Sequence, residues 1–120
     1  MVPMLSIHKT INGQMTKLDK VEDGCWVNLT YPTEDEMSTV TALLGIDPGF
    51  LRAALDEEET SRIDTEDGQT LIIIDLPSVE KGEAVVYSTL PLGIIVAEKC
   101  IITVCLKETP VIRDFQDGLV

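Results

Sequence analysis

Three near-continuous apolar runs constrain the fold of this chain more than any other feature. They cover residues 71–74, 93–97 and 101–104. Short apolar runs bounded by turn residues predict strands, and the lack of polar alternation is typical of strands that are covered on both faces. Only two convincing helices accompany these runs, and both fall in one stretch of sequence, which suffices to cover one face. The sequence therefore indicates either a fragment of a larger domain or a domain that buries a sheet face against a partner.

Two helices are predicted in the first half of the chain from their end signals. Thr33 is a favourable N-cap residue, and Glu36, three residues later, completes a capping box. Gly45 suits the left-handed position after the last turn of this helix, and Asp47 followed by Pro48 begins the next one. The buried stripes are predicted to be Met37, Val40, Leu43 and Leu44 on the first helix and Phe50, Leu51, Ala54 and Leu55 on the second.

The rest of the chain is predicted to form strands joined by tight turns. Asn12-Gly13 and Asp67-Gly68 each predict a hairpin. The predicted strands are 5–10, 14–18, 25–29, 62–66, 70–76, 84–90, 92–97 and 100–106, and residues 111–115 are compatible with the start of another helix. We therefore predict an α/β (α+β) fold, with a mixed β-sheet and helices packed on it, in which residues 1–120 form a single domain.

The strongly acidic composition excludes several classes of partner. The chain has 21 Asp and Glu against 9 Lys and Arg, for a formal charge of -12. Such a surface repels nucleic acid and anionic lipid and attracts cations, and no basic stripe with interleaved aromatic residues is present. The apolar runs are far shorter than the ~20 residues of a membrane helix, and the amino terminus lacks the features of a signal peptide. We therefore expect a soluble domain that binds no nucleic acid and does not itself enter a membrane.

The cysteine and histidine residues give no indication of an enzyme. Cys100 and Cys105 lie five residues apart in one predicted strand, so their side chains should point to opposite faces. Together with Cys25 they have no metal-ligand spacing, and buried free thiols in a reducing cytosol are expected. His8 is the only histidine, and a Cys–His pair would need a thiolate, which burial disfavours. No glycine-rich phosphate loop, hydrolase elbow or zinc-protease motif is present, so we expect no catalytic residues.

Four consecutive acids, Asp56, Glu57, Glu58 and Glu59, form the candidate metal site of this sequence. They follow the second predicted helix, whose dipole disfavours anions at its carboxyl end by about 0.3–1 kcal/mol per charge. Clustered carboxylate oxygens suit hard divalent cations such as Mg²⁺, which usually keep several waters. A solvated acidic turn is the favoured interpretation, and a weak divalent site or a contact between subunits are the alternatives. No tightly bound cofactor is expected.

Five short segments, taken in order, are more informative than any one of them. They are Trp26-Val27-Asn28-Leu29 with Pro32-Thr33-Glu34, Leu44-Gly45-Ile46-Asp47-Pro48, residues 51–59, Leu92-Gly93-Ile94-Ile95 and Ile101-Ile102-Thr103-Val104. Each segment alone is a weak signal. Their order and spacing over about residues 24–107 resemble the amino-terminal cytoplasmic domain of the CorA family of magnesium and cobalt transporters, and most of all a bacterial member.

The resemblance implies a regulatory domain rather than a complete transporter. Such proteins are homopentamers whose amino-terminal domains form a cytoplasmic funnel of α/β/α sandwiches. A long stalk helix leads from each domain to two membrane helices with a Gly-Met-Asn signature, and divalent ions between neighbouring funnel domains favour the closed state. The resemblance therefore implies a Mg²⁺/Co²⁺ transporter domain at the cytoplasmic face of the plasma membrane, with its own transmembrane region and further copies as partners. The alternative function is a freestanding acidic α/β interaction module with no transport role.

The expected fragment lacks the stalk, the membrane helices and the carboxy-terminal helices of the sandwich. Because an apolar face should then be exposed, we expect self-association, as a dimer or another assembly unlike the pentamer of the full-length protein.

Two departures from the family pattern bear on metal binding. Many relatives carry a Glu-Asp pair in the second helix, and the resemblance implies that its aspartate contributes to a regulatory metal site between subunits. Arg52 and Ala53 occupy the matching positions, and Thr60-Ser61 replace an Arg-Pro that often follows this helix. The nearest carboxylates are those of residues 56–59, one turn further on. Weak Mg²⁺ or Co²⁺ binding at these residues is therefore a hypothesis that rests on acidic clustering.

Overall fold

A computed structural model describes residues 4–56, 61–81, 85–107 and 109–118 of the chain. Its strands form a seven-stranded mixed sheet in the order β2-β1-β3-β7-β6-β5-β4. Among the described strands, β3 and β7 pair in parallel and all other neighbours are antiparallel. The strands are β1 (Met4–Ile11), β2 (Gln14–Leu18), β3 (Cys25–Thr30), β4 (Arg62–Glu66), β5 (Gln69–Lys81), β6 (Val85–Val96) and β7 (Cys100–Cys105), and the helices are α1 (Glu34–Leu44), α2 (Pro48–Ala54) and α3 (Pro110–Gln116). The predicted mixed sheet with packed helices is confirmed.

The helix and turn signals of the sequence fold as predicted. The Thr33 side chain accepts a hydrogen bond from the Glu36 amide at 3.1 Å, and the Glu36 carboxylate accepts one from the Thr33 amide at 2.9 Å. Asp47 accepts a hydrogen bond from the Gly49 amide at 2.8 Å and caps α2. Gly45 ends α1 with a φ of 66°, in the left-handed region where a Cβ is penalised.

The main hydrophobic core lies between the sheet and the helices α1 and α2, on what we call the helix face. Strand alternation directs every second residue of β3 to this face, and the parallel register places the matching residues of β7 beside them. The buried residues of this core are Ile7, Cys25, Val27, Leu29, Val40, Ile46, Phe50, Leu51, Ala54, Leu71, Ile73, Ile95, Cys100, Ile102 and Val104. The predicted stripe of α2 is therefore buried at three of its four positions, with Leu55 partly buried.

The predicted stripe of α1 is only partly correct. Val40 is buried, and Met37 and Leu44 are partly buried, but Leu43 is 66% exposed. The reason is that α2, not α1, packs on the centre of the sheet, against β6 and β7, whereas α1 packs on α2. Leu43 instead lines the side of an apolar groove beside β1.

A glycine on β6 permits the close approach of α2 to the sheet. A Cβ placed on Gly93 would overlap the Cβ of Ala54, and it would lie 3.4 Å from the Ala54 Cα. Gly93 pairs with Val104 of β7, so this contact lies over the sheet interior. Two small residues therefore set the distance between α2 and β6.

The strands β5 and β6 are longer than predicted and extend beyond their neighbours. The expected end of β5 at residue 76 is wrong, because the strand continues to Lys81, and the two strands predicted on either side of Pro91 are one strand. Pairing of β4 with β5 stops at Ile73, and pairing of β7 with β6 stops at Leu92. Pro77 and Pro91 lie beyond these last partners, where one edge of each strand is open and a missing N–H is tolerated.

The opposite side of the sheet, which we call the open face, is covered at one end by α3. Thr109 caps this helix by accepting a hydrogen bond from the Ile112 amide at 3.2 Å. The strands β5 and β6 form a long hairpin. Ile112 joins a second, smaller cluster with buried side chains of this long hairpin and of β7, namely Leu76, Leu90, Leu92 and Cys105. The apolar runs that the sequence analysis expected to be covered on both faces are thus covered on one face along their length and on the other face only near α3.

Candidate functional site

A chain of hydrogen-bonded polar side chains, buried except for the half-buried Trp26, occupies the centre of the open face on β3 and β7. Trp26 Nε1 donates a hydrogen bond to Thr103 Oγ1 at 2.7 Å, and Thr103 Oγ1 donates to Asn28 Oδ1 at 2.8 Å. Asn28 Nδ2 then donates to Thr30 Oγ1 at 3.0 Å. Asn28 is 1% exposed, and no buried side-chain polar atom of the described residues lacks a hydrogen-bond partner. Since unpaired buried polar groups are costly, this network specifies the register of β3 against β7.

The sequence analysis did not identify this network. A signal was present, because Trp26, Asn28 and Thr30 alternate with apolar residues along β3. The partner residue Thr103 could not be inferred, since it lies 75 residues away in sequence and faces Asn28 only through the parallel pairing.

His8 extends the polar region towards β1 and α3. Its Nε2 atom lies 3.0 Å from Ser6 Oγ, and its ring centroid lies 5.1 Å from that of Trp26. Ser6 Oγ also accepts a hydrogen bond from Gln116 Nε2 at 3.2 Å, which ties the end of α3 to the sheet. Burial lowers the pKa of His8, and the charge of Lys17 on β2 lowers it further.

The Cys–His pair considered from the sequence is not assembled. Cys100 belongs to the helix-face core, whereas His8 lies on the open face. Cys105 shares the open face, but it pairs with Thr30 at one end of β3, whereas His8 pairs with Trp26 near the other end. Cys100 and Cys105 therefore face opposite sides of the sheet, as predicted. Burial raises the pKa of both thiols.

An apolar strip runs along the open face beside the polar network. Cross-strand pairing aligns Ile63 of β4 with Ile72 of β5 and Ile94 of β6, and it aligns Val96 of β6 with Ile101 of β7. Ile63 is 73% exposed and Ile101 is 45% exposed. Ile101 lies on a central strand, where side chains of this size are usually covered, whereas Ile63 lies on the edge strand β4. Contiguous exposed apolar surface typically marks an interaction site. Among the described residues, this strip therefore leaves apolar side chains exposed on the open face.

The structure describes one of the four residues of the acidic segment, Asp56. Asp56 is exposed and follows α2 directly, with its amide donating a hydrogen bond to the Ala53 carbonyl at 3.2 Å. Glu57, Glu58 and Glu59 lie outside the described residues. Within the described part of the chain, no group of three or more His, Cys, Asp or Glu side chains is placed to hold a metal ion. The four-residue metal site therefore stays a prediction.

Arg52 occupies a groove between α1 and α2. The groove has a volume of about 290 Å³ and is lined by both helices, including Glu34, Thr41, Pro48 and Arg52. Arg52 is exposed in the last turn of α2, where a cation interacts favourably with the helix dipole. Arg52, which departs from the family pattern, is therefore a favourable residue at its position in α2.

No helix among the described residues is long and apolar enough to cross a membrane. A comparison with curated proteins found none that matches the chain. Comparison with solved structures found several of the same fold, at sequence identities that by themselves support the fold alone.

Two of these structures come from Methanocaldococcus jannaschii. The complete CorA magnesium transporter superposes with a TM-score of 0.78 at 20% identity, over 99% of this chain and 37% of that one. The soluble domain of CorA gives a TM-score of 0.78 at 21% identity, over 99% and 48%. The ZntB cytoplasmic domain from Vibrio parahaemolyticus gives 0.70 at 13% identity, over 99% and 50%. The chain thus spans half or less of each of these proteins.

The family comparison covers most of the chain. A model of the family described as CorA-like Mg2+ transporter protein matches residues 21–119, a range that begins before β3 and extends past the end of α3. The match includes the helix-face core apart from Ile7, the hairpin of β5 and β6, and the polar network of Trp26, Asn28, Thr30 and Thr103, and it agrees with the fold found in the solved CorA soluble domain. This chain belongs to the CorA-like Mg2+ transporter family.

Proposed function

We propose that this chain is the cytoplasmic regulatory domain of a divalent metal ion (Mg²⁺/Co²⁺) membrane transporter, in which it contributes to assembly and ion-dependent gating. The family match over residues 21–119 is the observation that carries the proposal. The domain performs no chemistry on the ion in this proposal. It acts by presenting packed surfaces to other parts of a larger protein, at the cytoplasmic face of the plasma membrane.

The open face supports this assignment independently of the family match. A sheet whose helix face is complete and whose open face carries exposed Ile63, Val96 and Ile101 has surface left to bury. Each 100 Å² of apolar surface removed from water contributes roughly 2.5 kcal/mol, so a covering layer is strongly favoured. We propose that helices following α3 supply this layer, and that the transmembrane region and a homopentameric assembly follow in the full-length protein.

The first test of this proposal uses the gene. A reading frame that continues past Val120 into further helices and two apolar spans supports the transporter assignment. A stop codon directly after residue 120 contradicts it and favours the freestanding interaction module, for which the same apolar strip would serve as a binding surface.

Self-association of the isolated domain tests the open face. We expect light scattering after size exclusion to detect a dimer or larger assembly at high protein concentration, held by the apolar strip. The double substitution Val96→Glu with Ile101→Glu should restore a monomer, because charges on the strip oppose its burial. The matched control is Ser38→Glu on α1 with Thr16→Glu on β2, which lie away from the open face and should leave the assembly unchanged. A monomeric wild-type domain would contradict this expectation.

We also propose weak Mg²⁺ or Co²⁺ binding by Asp56, Glu57, Glu58 and Glu59. The exposure of Asp56 suits an ion that keeps most of its water, and the formal charge of -12 favours cations generally. Titration calorimetry at millimolar Mg²⁺ should give heat that disappears when all four residues are changed to Asn or Gln. The control changes Asp19, Glu34, Glu66 and Asp114 in the same way, which matches the loss of charge. Equal heats in the two variants would mean diffuse counterion attraction and no site.

A further inference from the structure

Two of the three cysteines occupy directly opposed positions on neighbouring strands. Cys25 is the first residue of β3 and Cys100 is the first residue of β7, and the parallel register pairs them. Adjacent strands lie about 4.8 Å apart, which falls within the Cα separations of about 4.4–6.8 Å that disulfides span. Backbone spacing therefore permits a covalent bridge between these residues.

Both thiols face the same side of the sheet. Cys25 and Cys100 belong to the same buried core on the helix face, whereas Cys105 lies in the second cluster on the open face. Their proximity also has an electrostatic consequence. Burial raises the pKa of the Cys100 thiol most, and the neighbouring Cys25 and Asp23 raise it further.

Cys25 and Cys100 lie at the ends of their strands, and the residue before each of them is exposed to solvent. The Gly24 amide donates a hydrogen bond to the Lys99 carbonyl immediately before the two strands begin, and both of these residues are exposed. Cys100 is 7% exposed and Cys25 is 2% exposed. A small oxidant can therefore reach the Cys100 sulfur through a minor opening of the turns, without disruption of the core centre around Leu29 or Ile102.

We propose that Cys25 and Cys100 form a dithiol pair that peroxide converts into an intramolecular disulfide. The Cys100 thiolate attacks hydrogen peroxide, the O–O bond breaks, and a sulfenic acid and one water form. The Cys25 sulfur then attacks the sulfenic sulfur, an S–S bond replaces the S–O bond, and a second water leaves. Two thiols lose two electrons and two protons, and one peroxide is reduced to two waters.

The bridge would join the two halves of the sheet covalently. It closes a loop that contains both helices α1 and α2 and the long hairpin, and bridges across long loops stabilise most. The oxidised domain is therefore expected to melt about 10 °C higher than the reduced one. Because thiolate is the reactive form and the pKa of Cys100 is raised, the reaction should be slow at pH 7 and should accelerate steadily towards pH 9.

Peptide mapping of the oxidised wild-type protein tests this proposal without any substitution. The folded domain is treated with hydrogen peroxide at pH 7 and pH 9, quenched in acid, unfolded and alkylated, and then digested for mass spectrometry. The expected result is a peptide pair linked through Cys25 and Cys100, with a loss of 2 Da, while Cys105 is recovered alkylated. Detection of Cys25 and Cys100 as free thiols or as isolated sulfinic acids would overturn the proposal.

Two variants provide matched controls. Cys105→Ser should form the bridge at the wild-type rate, whereas Cys25→Ser should form none and should accumulate sulfinic acid at Cys100. Circular dichroism confirms that each variant is folded before oxidation. A bridge that involves Cys105, or one that appears only between chains, would show that the pairing of β3 and β7 does not direct the reaction, and it would equally overturn the proposal.

Discussion

The two faces of the sheet are built from alternate residues of the same strands, yet they differ in completeness. On the helix face, α1 and α2 close a continuous apolar core in which Leu29, Leu71, Ile95, Ile102 and Val104 have no measurable exposure. On the open face, buried polar side chains on β3 and β7 adjoin α3, and an exposed apolar strip crosses β4 to β7. The helix face holds the main buried core, and the open face leaves apolar side chains exposed.

This difference explains how the domain can fold while apolar side chains stay exposed on one face of its sheet. A core closed on one side of a sheet is enough to order the backbone, and the buried network around Asn28 fixes the register from the other side. The apolar strip then adds little to the stability of the isolated chain, because its residues stay in contact with water. Substitutions on the two faces should therefore separate stability from assembly.

Neighbouring isoleucines on β7 give the sharpest test of this comparison. Ile102 is fully buried on the helix face, and Ile101 is 45% exposed on the open face. We expect Ile102→Ala to reduce the free energy of unfolding by about 2–5 kcal/mol through loss of buried apolar contacts. The cost of Ile101→Ala should stay below about 1 kcal/mol. Urea denaturation of both variants measures the difference, and equal costs would mean that the open face is covered in solution.

A one-carbon change at Gly93 should have the next largest effect. The added Cβ of Gly93→Ala overlaps Ala54, so α2 must move away from β6. Overpacking of this kind typically costs about 1–3 kcal/mol. The double variant Gly93→Ala with Ala54→Gly should recover part of the loss, apart from the intrinsic cost of glycine in a helix. If the two single losses simply add in urea denaturation, the close contact is not the cause.

Removal of one hydroxyl tests whether the polar part of the open face behaves as a core. Thr103→Val keeps the shape of the side chain but removes the acceptor for Trp26 and the donor for Asn28. We expect a loss of about 1–2 kcal/mol in the free energy of unfolding. Thr103→Ser retains both hydrogen bonds and is the control for side-chain size. Two variants of equal stability would indicate that water replaces the hydroxyl and that this region is open.

The smallest expected effect is a pH dependence at His8. Because its pKa is lower in the folded protein, the unfolded chain binds more protons between the folded and unfolded pKa values. The contribution of His8 to stability is therefore complete above its unfolded pKa of about 6.5 and declines as the pH falls below that value. Wild-type protein should lose more stability between pH 7 and pH 5 than His8→Gln. Parallel curves for the two proteins would contradict this assignment.

Local signals predicted those parts of the fold that depend on neighbouring residues. Thr33 with Glu36, Asp47 with Pro48, and the two Asn-Gly and Asp-Gly hairpins each formed as expected, because their hydrogen bonds close within a few residues. The lengths of β5 and β6 could not be predicted from such local signals. Whether Pro77 and Pro91 end a strand depends on where β4 and β7 stop pairing, which is a property of the whole sheet.

For the candidate sites too, local signals could be predicted from the sequence and long-range contacts could not. The exposed open face was anticipated from uninterrupted apolar runs, since such runs require cover on both sides. The exposure of Leu43 was missed because it depends on how α2 displaces α1 from the sheet. The pairing of Asn28 with Thr103 and of Cys25 with Cys100 required the parallel register of β3 and β7, for which no local signal exists.

That parallel pair has a consequence for how the chain acquires its fold. The strands β1 to β3 form one antiparallel unit and β4 to β7 form another, and each can pair within itself soon after synthesis. The joint between the units brings residues 25–30 to residues 100–105, so the sheet closes only when nearly the whole domain has left the ribosome. Contacts so distant in sequence slow folding. We therefore expect amides within the two half-sheets to gain protection first in pulsed hydrogen exchange, and the amides that bond β3 to β7 to gain it last and together.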